Sequence, residues 1–345
     1  MSGRRILVTG GTGIIGAWAV REIAEAGDEP IVLTRGLTTV GRGILAELVD
    51  EIDWIEADLA QPLELVAAVQ RAQPEVIAHL ASAKPWQMDA NYVERPNPLL
   101  GVRAIVNGTL NLLEVARTLG VPRIVYASSK SAYAPFEGSH GHPEYAPVPE
   151  SYQCRPTDVY GITKLAAEQL GTYYAEHLGV EFVALRFAST YGPFKRGAGK
   201  APAGLIGAAI EGRAVQARYS RRAYTELIDE FVYNRDVGRA FQLATVAPVP
   251  PGRVFNVGTG VGSSVADVVA AIAAAGGGVA TPEIEVVDDD EPGEDVVRGH
   301  LVANYAGVLD TTAAREQLGF EARYDLPAGI RDAAEVATRK VGAGL

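Results

Sequence analysis

Tyr160 and Lys164 stand at the ends of Tyr160-Gly161-Ile162-Thr163-Lys164, where a helical pattern opens that runs to about His177. Spacing of i and i+4 puts phenol and amine on one helix face. A nearby ammonium lowers a phenol's pKa by stabilising the phenolate. Upstream, Tyr126-Ala127-Ser128-Ser129-Lys130-Ser131-Ala132-Tyr133 carries a serine cluster at the end of an apolar run. Such a cluster can donate to a substrate oxygen, or it can simply form a hydroxyl-rich turn. Near the N-terminus lies Thr9-Gly10-Gly11-Thr12-Gly13-Ile14-Ile15-Gly16. Gly10 permits a tight turn, Gly13 lets backbone approach a pyrophosphate, and Gly16 lets a helix pack on the preceding strand. The alternative is an ordinary glycine-rich turn.

These groups need elements to hold them. Ile6-Leu7-Val8 reads as a buried parallel strand, and Ala17–Ala26 as a helix that stops at Gly27. Strand, glycine loop and helix together make the fingerprint meaningful, because the helix N-terminus offers free N–H groups and partial positive charge to phosphates. Further strands are expected at Pro30–Thr34, Ile52–Glu56, Val76–Leu80 and Arg123–Ala127, with helices at Leu63–Ala72 and Leu99–Leu119 between them. That alternation predicts an α/β fold, a Rossmann-type doubly wound parallel sheet. Its ligand crevice lies beyond the carboxyl ends of the strands.

The residues after each strand are therefore the informative ones. After the second comes Thr34-Arg35-Gly36, with no carboxylate for the ribose hydroxyls of NAD; Arg35 can hold a 2′-phosphate, which favours NADP over NAD. Asp58-Leu59 follows the third, to accept from an adenine amino group or to make a turn before Pro62. His79-Leu80-Ala81-Ser82-Ala83-Lys84 follows the fourth; its small residues admit a cofactor, and His79 reads as a core histidine.

The chain has 345 residues, 48% hydrophobic, enough for a sizeable core in one large domain or two. A net charge of -11 argues against nucleic acid or an anionic membrane as partner. Cys154 is the single cysteine, so no internal disulfide forms, which suits the cytoplasm. No cleavable signal, no apolar run long enough to span a bilayer and no metal-ligand set is expected. Val268–Ala280 reads as a helix end and loop.

Taken together the residues resemble the extended short-chain dehydrogenases/reductases, specifically the NAD-dependent epimerase/dehydratase family. The matching pieces are VTGGTGIIG (8–16), DLAQP (58–62), HLAS (79–82), NGTLNLLEVA (107–116), SSKSAY (128–133), YGITK (160–164), LRFASTYGP (185–193), FVYNRDVGRAF (231–241), FNVGTG (255–260) and LDTTAAREQLGF (309–320). They keep family order over nearly the whole chain. The resemblance implies that Ser129, Tyr160 and Lys164 are catalytic. Tyr160 would be the acid/base, Ser129 would bond the same oxygen, and Lys164 would depress the phenol's pKa and hold the nicotinamide ribose. It implies cofactor contacts from Gly10, Gly13, Ile14, Ile15, Gly16, Arg35, Asp58, Leu59, Leu80, Ala81, Ser82, Lys84, Ala127, Tyr160, Lys164 and Phe187. Substrate contacts are implied from Lys84, Ser129, Lys130, Ser131 and Ser189, and Asp236 is implied to be a structural helix cap. It also implies a dinucleotide-binding domain of residues 1–190 plus 231–258, a smaller discontinuous C-terminal substrate lobe of 191–230 plus 259–345, and a homodimer built on helices near 99–119 and 156–178.

The chain departs from that family in places. Asp229-Glu230-Phe231 and Glu291-Pro292-Gly293-Glu294 carry acids where nucleotide-sugar enzymes have arginines for a diphosphate. Arg218, Arg221, Arg222 and Arg298 lie close by in sequence and could substitute. Lys130 and Ser131 replace the Asp-Glu pair of 4,6-dehydratases, and Ile105 replaces a frequent asparagine. The expectation is an NAD(P)-dependent oxidoreductase acting on a secondary alcohol or ketone carbon of a sugar- or sugar-acid-like small molecule. The alternatives are a nucleotide-sugar 4-epimerase and a non-catalytic NAD(P)-sensing protein.

Overall fold

The computed structural model describes residues 3–83, 86–88, 94–133, 135–194, 201–248, 253–298 and 306–339. Ile6, Leu7 and Val8 have no exposed surface, because their strand β1 (Arg5–Thr9) is covered on both faces. Helix α1 (Gly16–Glu25) follows, then β2 (Glu29–Thr34), β3 (Asp53–Glu56), α2 (Pro62–Ala72) and β4 (Val76–His79). After them come α3 (Gly108–Leu119), β5 (Arg123–Ala127), α4 (Val159–His177) and β6 (Glu181–Phe187). With β10 (Val254–Val257) the strands form one seven-stranded sheet, ordered β10-β6-β5-β4-β1-β2-β3 and parallel throughout. The order reverses between β1 and β4, so a crevice opens beyond their carboxyl ends.

The period of two along β1 sorts its side chains. Leu7 packs with Leu65, Val69, Leu112 and Leu113 from α2 and α3. Ile6 and Val8 pack on the other face with Val20 and Ile23 of α1, and with Val237 and Phe241 of α5 (Asn234–Val246). Each such buried side chain contributes about 1.5–3 kcal/mol. Two layers of helix thus clamp the sheet and fix the ends of its strands in space.

The expected helix at Leu99–Leu119 begins at Pro98, and Val102–Asn107 within it is a π-helical stretch. At 22 residues, Pro98–Leu119 is long and apolar enough to cross a bilayer. This corrects the expectation that no run reaches that length. Its buried residues Ile105, Leu112, Leu113 and Ala116 face the sheet core.

Two smaller sheets lie in the C-terminal part. In one, β9 (Asp229–Tyr233) pairs parallel with β7 (Ser189–Tyr191) and antiparallel with β11 (Gly262–Ser263). In the other, β8 (Gln216–Ser220) lies parallel between β12 (Glu283–Val287) and β13 (Val296–Val297). Helix α6 (Val265–Ala275) starts at a capping box of Ser264 and Asp267 and stops at Gly276. Asp236 is structural, as expected, but it does not cap its own helix. Its oxygens accept from the Arg323 and Tyr324 amides at 3.0 and 3.2 Å, pinning a distant segment.

Candidate active site

The serine, tyrosine and lysine come from two neighbouring elements. Ser129 follows the end of β5 and caps a short 3-10 turn, with its Oγ accepting from the Ser131 amide at 3.1 Å. Its hydroxyl also hydrogen-bonds Tyr160 on the first turn of α4. Lys164, one turn on, is 1% exposed; its Nζ donates to the Ala127 carbonyl at 2.6 Å and lies 5.5 Å from the centre of the Tyr160 ring. Tyr160 and Lys164 therefore lie together as the i, i+4 spacing predicts, and Ser129 meets them from the strand end. Asp158 caps the helix, accepting from the Gly161 amide at 2.8 Å, and so fixes where Tyr160 begins it.

Burial opposes charge at both partners. It pushes the Tyr160 phenol up to about 12, against the Ser129 hydrogen bond that lowers it. It pulls Lys164 down to about 7, against the Glu168 carboxylate that raises it. The expected net depression of the phenol is absent, because burial outweighs the hydrogen bond.

His79 sits beside this group at the end of β4. Its Nδ1 meets Thr9 Oγ1 at 2.7 Å and its Nε2 meets Thr109 Oγ1 at 3.0 Å. Thr109 donates its own proton to the Ile105 carbonyl, so it accepts from Nε2–H, and Nδ1 accepts from Thr9. This neutral, fully buried ring has its pKa lowered to about 3, by burial and then by Lys164. It is the core histidine the sequence suggested. The same Thr109 bond secures the turn where Ile105 replaces asparagine.

A cleft of about 630 Å³ opens over the glycine loop. Gly10, Gly13, Arg35, Asp58, Leu80 and Ser82 are on its wall, as are Leu59 and Ala81. Gly10 has φ +71°, and a Cβ there would lie 2.5 Å from the Ala81 amide nitrogen; one on Gly16 would lie 2.1 Å from the Gly10 carbonyl oxygen. The third glycine thus packs against the loop itself. Ile15 packs on the core, and Ile14 is half-buried beside it. Phe187 is buried in the core at the end of β6. Lys84 lies outside the described residues. Asp58 accepts from the Ala60 amide at 2.9 Å, as a turn residue does, and its other oxygen stands 3.8 Å from Arg35. Arg103, on the same wall, had no signal in the sequence. The glycine loop, its close backbone and a cavity of this size fit a dinucleotide.

On the far side of Ser129 the substituted positions meet each other. Lys130 Nζ pairs with Asp229, and Ser189 Oγ donates to the other Asp229 oxygen at 2.7 Å. Ser131 Oγ accepts from Ser129 Oγ at 3.2 Å. Glu230 turns inward with no exposed surface and accepts from the Gly260 and Leu309 amides, each at 2.7 Å. Burial raises its pKa against those bonds. Arg218 is held by Glu285, Asp295 and Glu291 at 3.0, 3.2 and 3.7 Å. Arg221 faces Asp288 at 3.4 Å, and Arg298 donates to the Gly293 carbonyl at 2.9 Å.

A parallel sheet with this loop and trio defines a nucleotide-dependent enzyme of the short-chain dehydrogenase/reductase type. Residues 6–258 match the NAD dependent epimerase/dehydratase family, and the chain belongs to it. Among curated relatives, a UDP-glucose 4-epimerase of Mycolicibacterium smegmatis is 30% identical over 339 residues, covering 96% of this chain and 97% of that protein. A dTDP-glucose 4,6-dehydratase of Mycobacterium tuberculosis is also 30% identical, over 193 residues and 55% of each chain. Among solved structures, the UDP-glucose 4-epimerase of Thermus thermophilus in complex with NAD superposes with TM-score 0.73 at 26% identity, over 97% of this chain and 99% of that one.

Proposed function

We propose that this enzyme moves a hydride between a nicotinamide cofactor and the secondary alcohol or ketone carbon of a polar, hydroxylated small molecule of sugar or sugar-acid type. The observation that carries this reading is the Ser129–Tyr160 hydrogen bond with the Lys164 amine beside the same ring. Tyr160 takes or gives the proton on the substrate oxygen, and Ser129 orients that oxygen. Lys164, when charged, stabilises the phenolate. The residues around Gly10, Gly13 and Ser82 hold the dinucleotide. A nicotinamide dinucleotide supplies hydride donor or acceptor when bound. We favour NADP, because the Arg35 side chain is 80% exposed and its contact with Asp58 is long.

A free sugar or sugar acid is favoured over a nucleotide sugar. Asp229 stands where a diphosphate-binding arginine is expected, and Arg218, Arg221 and Arg298 are engaged by carboxylates or carbonyls. Residues 1–190 plus 231–258 would bind the dinucleotide, and 191–230 plus 259–345 would close over the substrate. A cytoplasmic homodimer fits the side chains left outward on two contiguous helices: Leu99, Ile162 and Tyr173 are 57%, 50% and 55% exposed.

A second reading, a nucleotide-sugar 4-epimerase, is favoured by the full-length match to the mycobacterial relative. A screen of sugars, sugar acids and nucleotide sugars, with each cofactor supplied separately, decides between them. Accumulation of reduced cofactor with a free sugar or sugar acid is expected. Interconversion of UDP-glucose and UDP-galactose without net reduced cofactor would establish the second reading instead.

A further inference from the structure

Three ionisable side chains behind the trio are almost wholly shut off from water. Lys164, Glu168 and Arg186 are 1%, 3% and 5% exposed. Glu168 lies one helical turn beyond Lys164 in α4. One of its oxygens accepts from Ser128 Oγ and from Arg186 Nε, the latter at 3.0 Å; the other accepts from Arg186 Nη2 at 2.5 Å. Ser128 directly precedes Ser129, and its amide donates to the Leu185 carbonyl at 2.9 Å. The Arg186 guanidinium, on β6, stacks 4.4 Å from the centre of the Tyr133 ring.

We infer that Glu168 is a positioning residue for the trio: its carboxylate clasps the serine-bearing strand end to the helix that carries Tyr160 and Lys164, and it supplies the buried negative charge that favours the Lys164 cation. The inference rests on the trio reading above. Its geometry is a three-way junction, since one carboxylate touches β6, the residue before Ser129, and the helix it belongs to. A bidentate Arg–Glu pair is rigid, and it holds the carboxylate one helical turn from Lys164. The groups around it are the neutral His79 from β4, the Tyr126 ring from β5 at 5.0 Å, the Ala127 carbonyl, and Tyr160 and Glu168 from its own helix. Of these, Glu168 carries the negative charge. Without it, burial acts on Lys164 unopposed, and less of the amine is charged to stabilise a phenolate.

The test needs no substrate. The chain has six lysines, few enough to resolve the Lys164 side chain in a protein carrying isotopically labelled lysine, with Lys164→Met to assign its signal. Titration followed by NMR is expected to show the Lys164 midpoint about one pH unit lower in Glu168→Gln, an isosteric loss of charge. Glu168→Gln with Arg186→Met removes both buried charges and serves if the single variant unfolds; its midpoint is also expected below wild type. A wild-type midpoint in either folded variant overturns the inference. That outcome is separable from failure of the trio reading, which would instead appear as full turnover in Tyr160→Phe.

Discussion

Gly10 and Ala81 approach so closely that a methyl group on Gly10 would sit 2.5 Å from the Ala81 amide nitrogen. The first glycine of the loop therefore serves the sheet's switch point, besides the phosphate it would approach under the proposed function. Gly10→Ala must move β4 or distort a backbone with φ +71°. A destabilisation of about 1–3 kcal/mol is expected, with dinucleotide affinity reduced at least about tenfold, read by denaturant titration and by cofactor fluorescence quenching.

Tyr160→Phe removes a proton donor and little else, because the ring keeps its packing. Turnover is expected to fall by a factor on the order of 10²–10⁴ while cofactor affinity stays near wild type. Steady-state rates with the substrate from the screen, beside equilibrium cofactor binding, check both halves.

Arg35→Asp should separate the cofactors. A charge-assisted bond to a 2′-phosphate is worth about 1.5–3 kcal/mol, so NADP should weaken by roughly tenfold or more while NAD changes little. Equal changes in both dissociation constants would remove Arg35 as the discriminator.

His79 predicts a pH dependence of stability. Its ring titrates near 6.5 when unfolded and at about 3 in place, so the unfolded chain binds the extra proton between those values. Stability is then fully present above about 6.5 and lost as pH falls towards 3, at about 1.4 kcal/mol per pH unit once well inside the window. His79→Gln should flatten that slope between pH 6 and pH 5 (roughly the range above most carboxylates), as urea midpoints would show.

Solution scattering should return the mass of two chains. A single-chain mass would remove the role proposed for Leu99, Ile162 and Tyr173.

Much of this was legible in the chain. Short apolar runs gave the strands, because a parallel strand buried on both faces tolerates little else. The glycine loop and the Tyr160–Lys164 turn were readable because local geometry alone brings their members together. What failed to show was whatever the sheet assembles from a distance. Asp229 meets Lys130 across 99 residues, and Arg186 reaches Glu168 across two elements. Neither pair has a spacing to recognise. Ile14 and Ile15 were expected at the cofactor from their place in the motif; both are half-buried, and Ile15 packs on the core.

The inward Glu230 carries a practical warning. Its carboxylate is tied to the Gly260 amide and to that of Leu309, which lies 79 residues along. Cutting the chain between those two would leave an anion in a dry interior with one of these backbone donors gone, at a penalty of several kcal/mol. Trimming the C-terminal segment in search of a minimal dinucleotide binder would therefore remove a donor that the interior needs. Sequence in that segment can be exchanged freely only so long as a backbone amide still arrives where Leu309 now delivers one.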